Sequence, residues 1–118
     1  MKLLIVDDGK AALEMLEDYF APRGWEVLCA ERAAEGLRIA HDERPDIVIL
    51  DLRLPDCPGD EVLRQIKTYL PEIKVIIVTG EDDEKLKEKV QGYGCDAYFE
   101  KANLSLAELG GAVRDLLS

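Results

Sequence analysis

Apolar residues along this chain are concentrated in five short runs, with longer segments of mixed character between them. The first, third and fourth runs are continuously apolar and rich in β-branched residues, and they do not alternate with polar positions. Such runs are typical of strands that are covered on both faces, as in a parallel sheet. The predicted strands are residues 3–6, 26–30, 47–50, 75–78 and 97–99.

The segments between the runs carry apolar residues at the three- and four-residue spacing of an amphipathic helix. The last of these segments opens with Ser105 and Glu108, which have the spacing of a capping box. The four clear stripes are Leu13, Leu16 and Phe20; Ala34, Leu37 and Ala40; Val62, Leu63, Ile66 and Leu70; and Leu106, Leu109, Val113 and Leu116.

The helix predicted over residues 83–91 differs from the others, because Leu86 and Val90 are almost its only apolar residues. A helix that buries so little surface is weakly held, which makes it a candidate for a mobile element. A solvated charged helix without such a role is the alternative, and the pattern does not separate the two.

The alternation of five strands with five helices predicts an α/β fold of the flavodoxin-like (βα)5 type, a three-layer sandwich. Its five-stranded parallel sheet is expected to have the strand order 2-1-3-4-5. We expect a single domain over residues 1–118, because the length is typical of one domain and no linker interrupts the pattern.

The composition narrows the possible functions. The formal net charge of −10 argues against direct nucleic-acid binding, which requires a basic surface, and favours a cation or a basic partner. No apolar stretch is long enough to span a membrane and no signal peptide is evident, so we expect a cytoplasmic protein without membrane contact. Cys29, Cys57 and Cys95 form neither a metal-ligand pattern nor a disulfide framework.

Polar residues follow the carboxyl ends of four predicted strands. They are Asp7 and Asp8 after the first strand, Asp51 after the third, Thr79 after the fourth and Lys101 shortly after the fifth. Ligands of such sheets bind at this edge, so three carboxylates, a hydroxyl and an ammonium group are expected to converge there. Three like charges repel each other unless a cation belongs among them, and oxygen ligands suit Mg²⁺ or Mn²⁺.

Asp51 is the candidate nucleophile for phosphoryl transfer, because carboxylates can form aspartyl phosphates. The metal and Lys101 would neutralise charge on the transferring oxygens, and Thr79 would donate its hydroxyl to one of them. Each residue alone has a simpler interpretation, with Asp8 as a helix cap and the others as structural or solvated side chains. The presence of all five groups at one edge favours a site.

These residues resemble the receiver domain of bacterial two-component response regulators, and the resemblance covers nearly the whole chain. It is carried by residues 4–8 (LIVDD), 47–55 (IVILDLRLP) with Gly59, 78–80 (VTG) and 96–101 (DAYFEK).

By this resemblance, Asp51 is the phosphoacceptor and takes a phosphoryl group from the phosphohistidine of a sensor histidine kinase. The implied metal ligands are Asp7, Asp8, Asp51 and the backbone carbonyl of Arg53. Lys101 is expected to pair with the phosphoryl group.

The resemblance also implies a two-state switch, in which Thr79 moves to bond the phosphoryl group and Tyr98 swings inward. Phosphorylation then favours one arrangement of the face made by the fourth helix, the fifth strand and the fifth helix. From its position alone, Tyr98 is an edge-strand aromatic residue with its hydroxyl in water. Arg53 and Glu81 resemble positions that tune the lifetime of the phosphate, and we expect an Arg–Glu pair across the site entrance.

Two segments depart from the family pattern. Ala102 follows Lys101 where the family usually has proline, and residues 56–59 (DCPG) replace the more usual loop. A cis bond without proline costs about 3–4 kcal/mol, so we expect the Lys101–Ala102 peptide to be either trans or strained.

We therefore expect a phosphoacceptor whose only chemistry is metal-dependent self-phosphorylation and autodephosphorylation. The expected partners are a sensor histidine kinase or phosphotransfer protein, and a downstream effector domain or partner protein. A phosphorylation-dependent dimer is a further option. The chain ends at Ser118, directly after the last helix, so it either acts alone or is a receiver excised from a larger regulator.

Three alternatives stay open at this point. A receiver-like interaction module would not turn over phosphate, although every acceptor-site residue is present here. A flavin-binding protein of the same fold would need a phosphate-binding loop rich in Ser, Thr and Gly where Asp7 and Asp8 stand. A metal-dependent phosphatase would need an Asp-x-Asp pair, and Arg53 occupies the position of the second acid.

Overall fold

The computed structural model describes all 118 residues, and in it five strands alternate with five helices. The elements are β1 (Lys2–Val6), α1 (Lys10–Phe20), β2 (Glu26–Ala30), α2 (Ala33–Glu43), β3 (Ile47–Leu50), α3 (Gly59–Tyr69), β4 (Lys74–Thr79), α4 (Glu84–Gly92), β5 (Ala97–Glu100) and α5 (Leu106–Leu117). Two short 3₁₀ turns, Ala21–Arg23 and Lys101–Asn103, follow α1 and β5.

The five strands form one parallel sheet in the order β2-β1-β3-β4-β5, which confirms the predicted fold and topology. The register places Leu4 of β1 opposite Val48 of β3, and Val48 opposite Val75 of β4. The central strands therefore end close to one another at the carboxyl edge of the sheet, where β1, β3 and β4 each lead into a loop.

Successive residues of the central strands point to opposite faces, which divides the core into two layers. On one face Leu4, Val48 and Ile77 pack beneath helices α2, α3 and α4. On the other face Ile5 and Ile49 pack beneath α1 and α5. Because both faces are covered, the central strands are continuously apolar over residues 3–6, 47–50 and 75–78, as the uninterrupted runs in the sequence predict.

Helix α4 is the least deeply anchored helix, in agreement with its sparse apolar pattern. Val90 is its only buried residue, and Leu86 is partly buried against the same core layer. The carboxylate of Asp83 caps the helix by accepting the backbone N–H groups of Lys85 and Leu86 at 3.0 and 3.1 Å. An ion pair of 2.9 Å joins Lys89 of α4 to a carboxylate of α3. Polar contacts therefore supply much of its attachment.

Helix α5 begins with a local signal that the sequence carries. The hydroxyl of Ser105, which precedes α5, accepts the backbone N–H of Glu108 at 3.3 Å, so the Ser105 half of the predicted capping box is confirmed. Helix α1 is different, because its N-cap residue Gly9 provides no side-chain cap and Asp8 does not replace it. The interpretation of Asp8 as a cap for this helix is therefore wrong. No helix combines the length and the apolar character that crossing a membrane would require.

Candidate functional site

All five predicted polar residues lie at the carboxyl edge of the sheet. Asp7 and Asp51 directly follow β1 and β3, Thr79 ends β4, and Lys101 directly follows β5. Asp7, Asp51 and Thr79 are buried, with exposed fractions of 4%, 6% and 0%, whereas Asp8 is exposed. The site therefore has a buried floor of two carboxylates and one carboxylate open to solvent.

The backbone holds the two buried acids in place. The N–H of Asp7 donates to Ala30 of β2 at 3.0 Å, and the N–H of Asp51 donates to Val6 of β1 at 2.9 Å. These bonds continue the hydrogen-bonding ladder of the sheet one residue beyond the strands. The two carboxylates are thus placed by the most rigid part of the fold and not by mobile loops.

Lys101 bridges the two buried carboxylates. Its Nζ lies 2.8 Å from Oδ2 of Asp7 and 3.1 Å from Oδ2 of Asp51. The remaining oxygens accept backbone donors, with the N–H of Gly9 at 2.8 Å from Oδ1 of Asp7 and the N–H of Arg53 at 3.3 Å from Oδ1 of Asp51. One lysine therefore serves two buried acids, and the third acid has no cationic partner.

The protonation behaviour of Asp51 reflects its burial and its charged neighbours. Burial raises the pKa of Asp51, the Lys101 ammonium and the Arg53 N–H oppose that rise, and the charge of Asp7 adds to it. The net result is a pKa of Asp51 above the usual value for an aspartate. Burial alone would lower the pKa of Lys101, but its hydrogen bonds to Asp7 and Asp51 outweigh burial and raise it. Lys101 therefore stays charged, and the site still carries excess negative charge.

The three acids fit a divalent cation. One carboxylate oxygen from each of Asp7, Asp8 and Asp51 lies within 4.8 Å of the others. Hard oxygen ligands that leave room for water are the donor set that Mg²⁺ and Mn²⁺ prefer. The exposed carboxylate of Asp8 gives an ion access from solvent, while the buried pair would fix its position. The donor chemistry and the charge excess therefore both match the predicted metal.

A polar cavity of about 240 Å³ opens above these residues. It is lined entirely by non-hydrophobic residues, namely Asp8, Asp51, Arg53, Gly80, Glu81 and Lys101. Arg53 and Glu81 both line this cavity, and their side chains form an ion pair, with Nε of Arg53 2.6 Å from Oε1 of Glu81. The predicted Arg–Glu pair is therefore present.

The two predicted switch residues lie near the site without contacting Asp51. The hydroxyl of Thr79 is fully buried and accepts the backbone N–H of Glu81 at 3.1 Å. Tyr98 is partly buried against the core beneath α4, and the ammonium of Lys87 lies 5.3 Å from the centre of its ring. Burial, followed by the charge of Glu100, raises the pKa of Tyr98. The ring of Tyr98 is thus partly enclosed by the core.

The segment after Lys101 replaces proline without a cis bond. The chain contains no cis peptide, so the Lys101–Ala102 bond is trans. A 3₁₀ turn over Lys101–Asn103 leads into α5, and the N–H of Leu104 closes it on the carbonyl of Lys101 at 3.3 Å. This turn brings the lysine ammonium to the two acids, so the alanine does not displace Lys101 from the site.

Two further residues shape the site that the analysis of strand ends did not identify. Gly59 begins α3 so close to β3 that a Cβ atom there would lie 2.6 Å from Cα of Leu52 and would also overlap the carbonyl oxygen of Asp51. Asp56 caps α2 from the loop after Asp51, by accepting the N–H groups of Ala33 and Ala34. The partners of Asp56 are 22 and 23 residues away in sequence, so no local pattern signals this contact.

Comparison with known proteins agrees with the fold and with the family resemblance. Residues 3–114 match the family model described as the response regulator receiver domain. Response regulator MprA from Mycobacterium sp. (strain KMS) is 33% identical over 119 residues, which cover 99% of this chain and 50% of that protein. The chain thus spans about half the length of the curated relatives of this type. Sporulation initiation phosphotransferase F of Bacillus subtilis is 31% identical, with 98% of this chain and 93% of that protein covered.

A solved structure shares the same architecture. The CheY-like response regulator receiver domain protein from Methanospirillum hungatei JF-1 superimposes with a TM-score of 0.94 at 31% identity, covering 98% of this chain and 92% of that one. A family match over nearly the whole chain, the observed strand order and the clustered acids all lead to the same conclusion. The chain belongs to the response regulator receiver domain family of two-component signal transduction.

Proposed function

We propose that this receiver domain accepts a phosphoryl group on Asp51 in the presence of Mg²⁺. The observation that carries the proposal is the placement of three carboxylates and one lysine at a single sheet edge, with Asp51 facing a polar cavity. The relationship to a protein named as a phosphotransferase supports phosphoryl chemistry at this edge. The domain's own chemistry is limited to self-phosphorylation and autodephosphorylation.

The transfer uses a carboxylate oxygen of Asp51 as nucleophile. This oxygen forms a bond to phosphorus while the bond between phosphorus and the donor's leaving group breaks. The leaving group, an imidazole or an acetate according to the donor, departs with the electron pair of that bond. Burial favours the reaction, because the charge of the Asp51 carboxylate is poorly solvated and is partly transferred to the phosphoryl oxygens.

Four groups would hold the ion: the carboxylates of Asp7, Asp8 and Asp51 and the backbone carbonyl of Arg53. When bound, the ion supplies positive charge that offsets the charge of the phosphoryl oxygens. Lys101 contributes a second positive charge, since its ammonium lies within hydrogen-bonding distance of Asp51. After transfer its ammonium would exchange the Asp51 carboxylate for a phosphoryl oxygen, which satisfies the same donor.

Phosphorylation would then switch the face made by α4, β5 and α5. The Thr79 hydroxyl would leave the N–H of Glu81 and donate to a phosphoryl oxygen, which pulls the loop after β4 towards the site. Tyr98 would move inward with it, since its ring packs beside α4. The shallow anchoring of α4, with Val90 as its only buried residue, supports this helix as the element that moves.

The partners follow from this chemistry. A sensor histidine kinase or phosphotransfer protein would supply the phosphoryl group, and an effector domain or partner protein would read the α4–β5–α5 face. A dimer that forms on phosphorylation is one way in which that face would be used. The cytoplasm is the compartment in which we expect these partners to meet the domain.

Incubation with acetyl phosphate and Mg²⁺, followed by intact-mass measurement, tests the proposal. We expect the mass to rise by one phosphoryl group, and chelation of the metal to prevent the increase. Asp51→Asn removes the nucleophile with little change in size and should abolish labelling. Asp46→Asn is the matched control, because Asp46 lies at the opposite edge of the sheet and accepts the N–H of Lys2.

An unchanged mass in the wild-type protein with metal present would contradict the proposal. It would favour the alternative, a receiver-like interaction module that does not turn over phosphate. Labelling that persists in Asp51→Asn would place the acceptor elsewhere.

A further inference from the structure

Helix α2 receives its N-terminal cap from another part of the chain. Its own N-cap residue, Arg32, makes no capping hydrogen bond with its side chain. Instead, Oδ1 and Oδ2 of Asp56 accept the N–H groups of Ala33 and Ala34 at 2.8 and 3.0 Å. These hydrogen bonds hold the pKa of Asp56 below its usual value, and the bond from Ala34 contributes most. The cap is therefore a charged contact of two hydrogen bonds, which join residues 22 and 23 positions apart in the sequence.

Asp56 belongs to the acceptor loop, which we define as residues 51–58 between β3 and α3. Within this loop, the N–H of Arg53 donates to Oδ1 of Asp51 at 3.3 Å, and the N–H of Gly59 donates to the carbonyl of Leu52 at 2.9 Å. Asp56 adds two side-chain hydrogen bonds that join the acceptor loop to helix α2.

The position of this attachment to α2 matters for the site. Two of the four proposed metal ligands, the carboxylate of Asp51 and the backbone carbonyl of Arg53, lie within the acceptor loop. A carboxylate can be reoriented by rotation of its own side chain, whereas the direction of a backbone carbonyl is set only by the conformation of the main chain. An attachment three residues after Arg53 therefore restricts the carbonyl's direction, in the way that second-sphere contacts orient the ligands of other metal sites.

We propose that Asp56 is a positioning residue for the metal and phosphoryl site: by clamping the acceptor loop to the first turn of α2, it holds the Asp51–Arg53 segment in the geometry that the site requires. Asp56 itself lies outside the cavity lining and does not touch the reacting atoms. The proposal rests on the proposed function, in that the clamped segment is the one that would hold the ion.

Three variants separate clamping from charge. Asp56→Ala removes both acceptor oxygens, whereas Asp56→Asn removes the same charge and keeps one oxygen that accepts an N–H. A difference between these two variants cannot come from net charge. Asp46→Ala removes one carboxylate and one hydrogen bond to a backbone N–H at the far edge of the sheet, so it controls for charge and for a general loss of stability.

Two measurements test the clamp. The first is Mg²⁺ affinity by isothermal titration calorimetry at constant ionic strength. We expect Asp56→Ala to weaken binding about tenfold, the effect typical of removing a contact that orients a metal ligand, with Asp56→Asn between it and the wild type. The second is amide hydrogen exchange without metal, in which the N–H groups of Arg53 and Gly59 should exchange faster in Asp56→Ala, together with those of Ala33 and Ala34.

The outcomes are distinguishable. Equal Mg²⁺ affinity in Asp56→Ala and the wild type overturns the inference, as does equal weakening in the Ala and Asn variants, which indicates charge alone. Faster exchange at Ala33 and Ala34 without a change at Arg53 and Gly59 also overturns it, because Asp56 is then only a helix cap. A wild-type protein that binds no Mg²⁺ contradicts the proposed function instead, and the exchange data still decide whether the clamp exists.

Discussion

The two ends of the same parallel sheet use aspartates in opposite ways. At the amino edge, Asp46 accepts the backbone N–H of Lys2 at 2.8 Å. Asp96 accepts the N–H of Val75 at 2.8 Å and the ammonium of Lys67 at 2.7 Å. Each of these two acids has its own donors.

At the carboxyl edge, three acids share one lysine. Asp7 and Asp51 both contact Lys101, and Asp8 brings a third carboxylate within 4.8 Å. Isolated, satisfied carboxylates join elements of the fold, whereas a crowded set leaves charge that only an added cation can offset. The close approach of three carboxylates, which one lysine only partly offsets, distinguishes the carboxyl edge from the amino edge.

Removing a carboxylate from the amino edge should have the largest effect on stability. Asp96→Ala leaves the partly buried Lys67 ammonium unpaired and the N–H of Val75 without its side-chain acceptor. We expect the free energy of unfolding to fall by about 2–3 kcal/mol, measured by urea denaturation. Because the change is at the far edge, Mg²⁺ affinity should not change.

Asp96→Asn serves as the control for this prediction. It keeps an oxygen for the N–H of Val75 and loses only the charge that pairs with Lys67, so a smaller loss is expected. A stability loss below about 0.5 kcal/mol in Asp96→Ala, or a change in Mg²⁺ affinity with it, would mean that the two edges do not differ as described.

The same type of change at the carboxyl edge should act in the opposite direction. Asp8→Asn removes one of three repelling charges from an exposed position without breaking a hydrogen bond to the backbone. We expect the metal-free protein to gain up to about 1 kcal/mol of stability, the scale of one exposed charge repulsion at this distance. Mg²⁺ affinity should fall at least about tenfold. Denaturation with a chelator present and calorimetric titration measure the two effects.

A less stable Asp8→Asn protein in the absence of metal would contradict this prediction. Such a result would show that Asp8 has a structural partner, as the acids of the amino edge do.

The pH dependence of stability should show the burial of Asp51. Burial raises the pKa of Asp51, so the folded protein holds this proton more tightly than the unfolded chain does. Its contribution is complete below the unfolded pKa of about 3.9 and is lost as pH rises through the folded pKa. In metal-free buffer, the wild type should therefore lose stability relative to Asp51→Asn as pH rises above about 4.

Asp56 provides the contrast within the same loop. Hydrogen bonds from Ala34 and Ala33 lower the pKa of Asp56, so its contribution is present above the unfolded pKa and is lost as pH falls through the folded one. The stability difference between the wild type and Asp56→Asn should therefore shrink on acidification, the reverse of the trend for Asp51→Asn. Parallel trends in the two variants would contradict the assignment of opposite pKa shifts.

Most of the fold could be predicted because its signals are local. Uninterrupted runs such as residues 47–50 indicate a strand covered on both faces, and Ser105 before Leu106 indicates a helix start. The site residues followed from one topological rule, that parallel strands present their carboxyl ends at one edge. The Arg53–Glu81 pair was anticipated from the resemblance, and it is present.

Contacts between distant segments could not be predicted in this way. No local pattern tells that Asp56 caps α2, or that Lys89 of α4 pairs with Asp60 of α3. The double contact of Lys101 depends on the 3₁₀ turn that begins with it, in a segment where the usual proline is absent. Such features depend on packing between elements, and periodicity within one element carries no information about it.

The smallest effect on stability is expected for the Arg53–Glu81 ion pair, because this pair is exposed to solvent. The Arg53 side chain is 77% exposed, unlike Lys67 at the amino edge, which is 16% exposed. Arg53→Ala and Glu81→Ala should each change stability by less than about 0.5 kcal/mol, because exposed pairs are screened by water.

Their effect should appear in the lifetime of the phosphorylated state instead. The Arg53–Glu81 pair lines the same cavity as Asp51, and Arg53→Ala keeps the backbone carbonyl that is proposed to bind metal. If the pair obstructs water with the strength of an exposed ion pair, its loss should speed dephosphorylation about twofold. Dephosphorylation is monitored by intact-mass measurement after the phosphoryl donor has been removed. The double variant should be no faster than either single variant, since both remove the same contact.

Additive acceleration would show that the two side chains act separately. An unchanged lifetime of the phosphorylated state in all three variants would mean that the Arg53–Glu81 pair does not control access to Asp51.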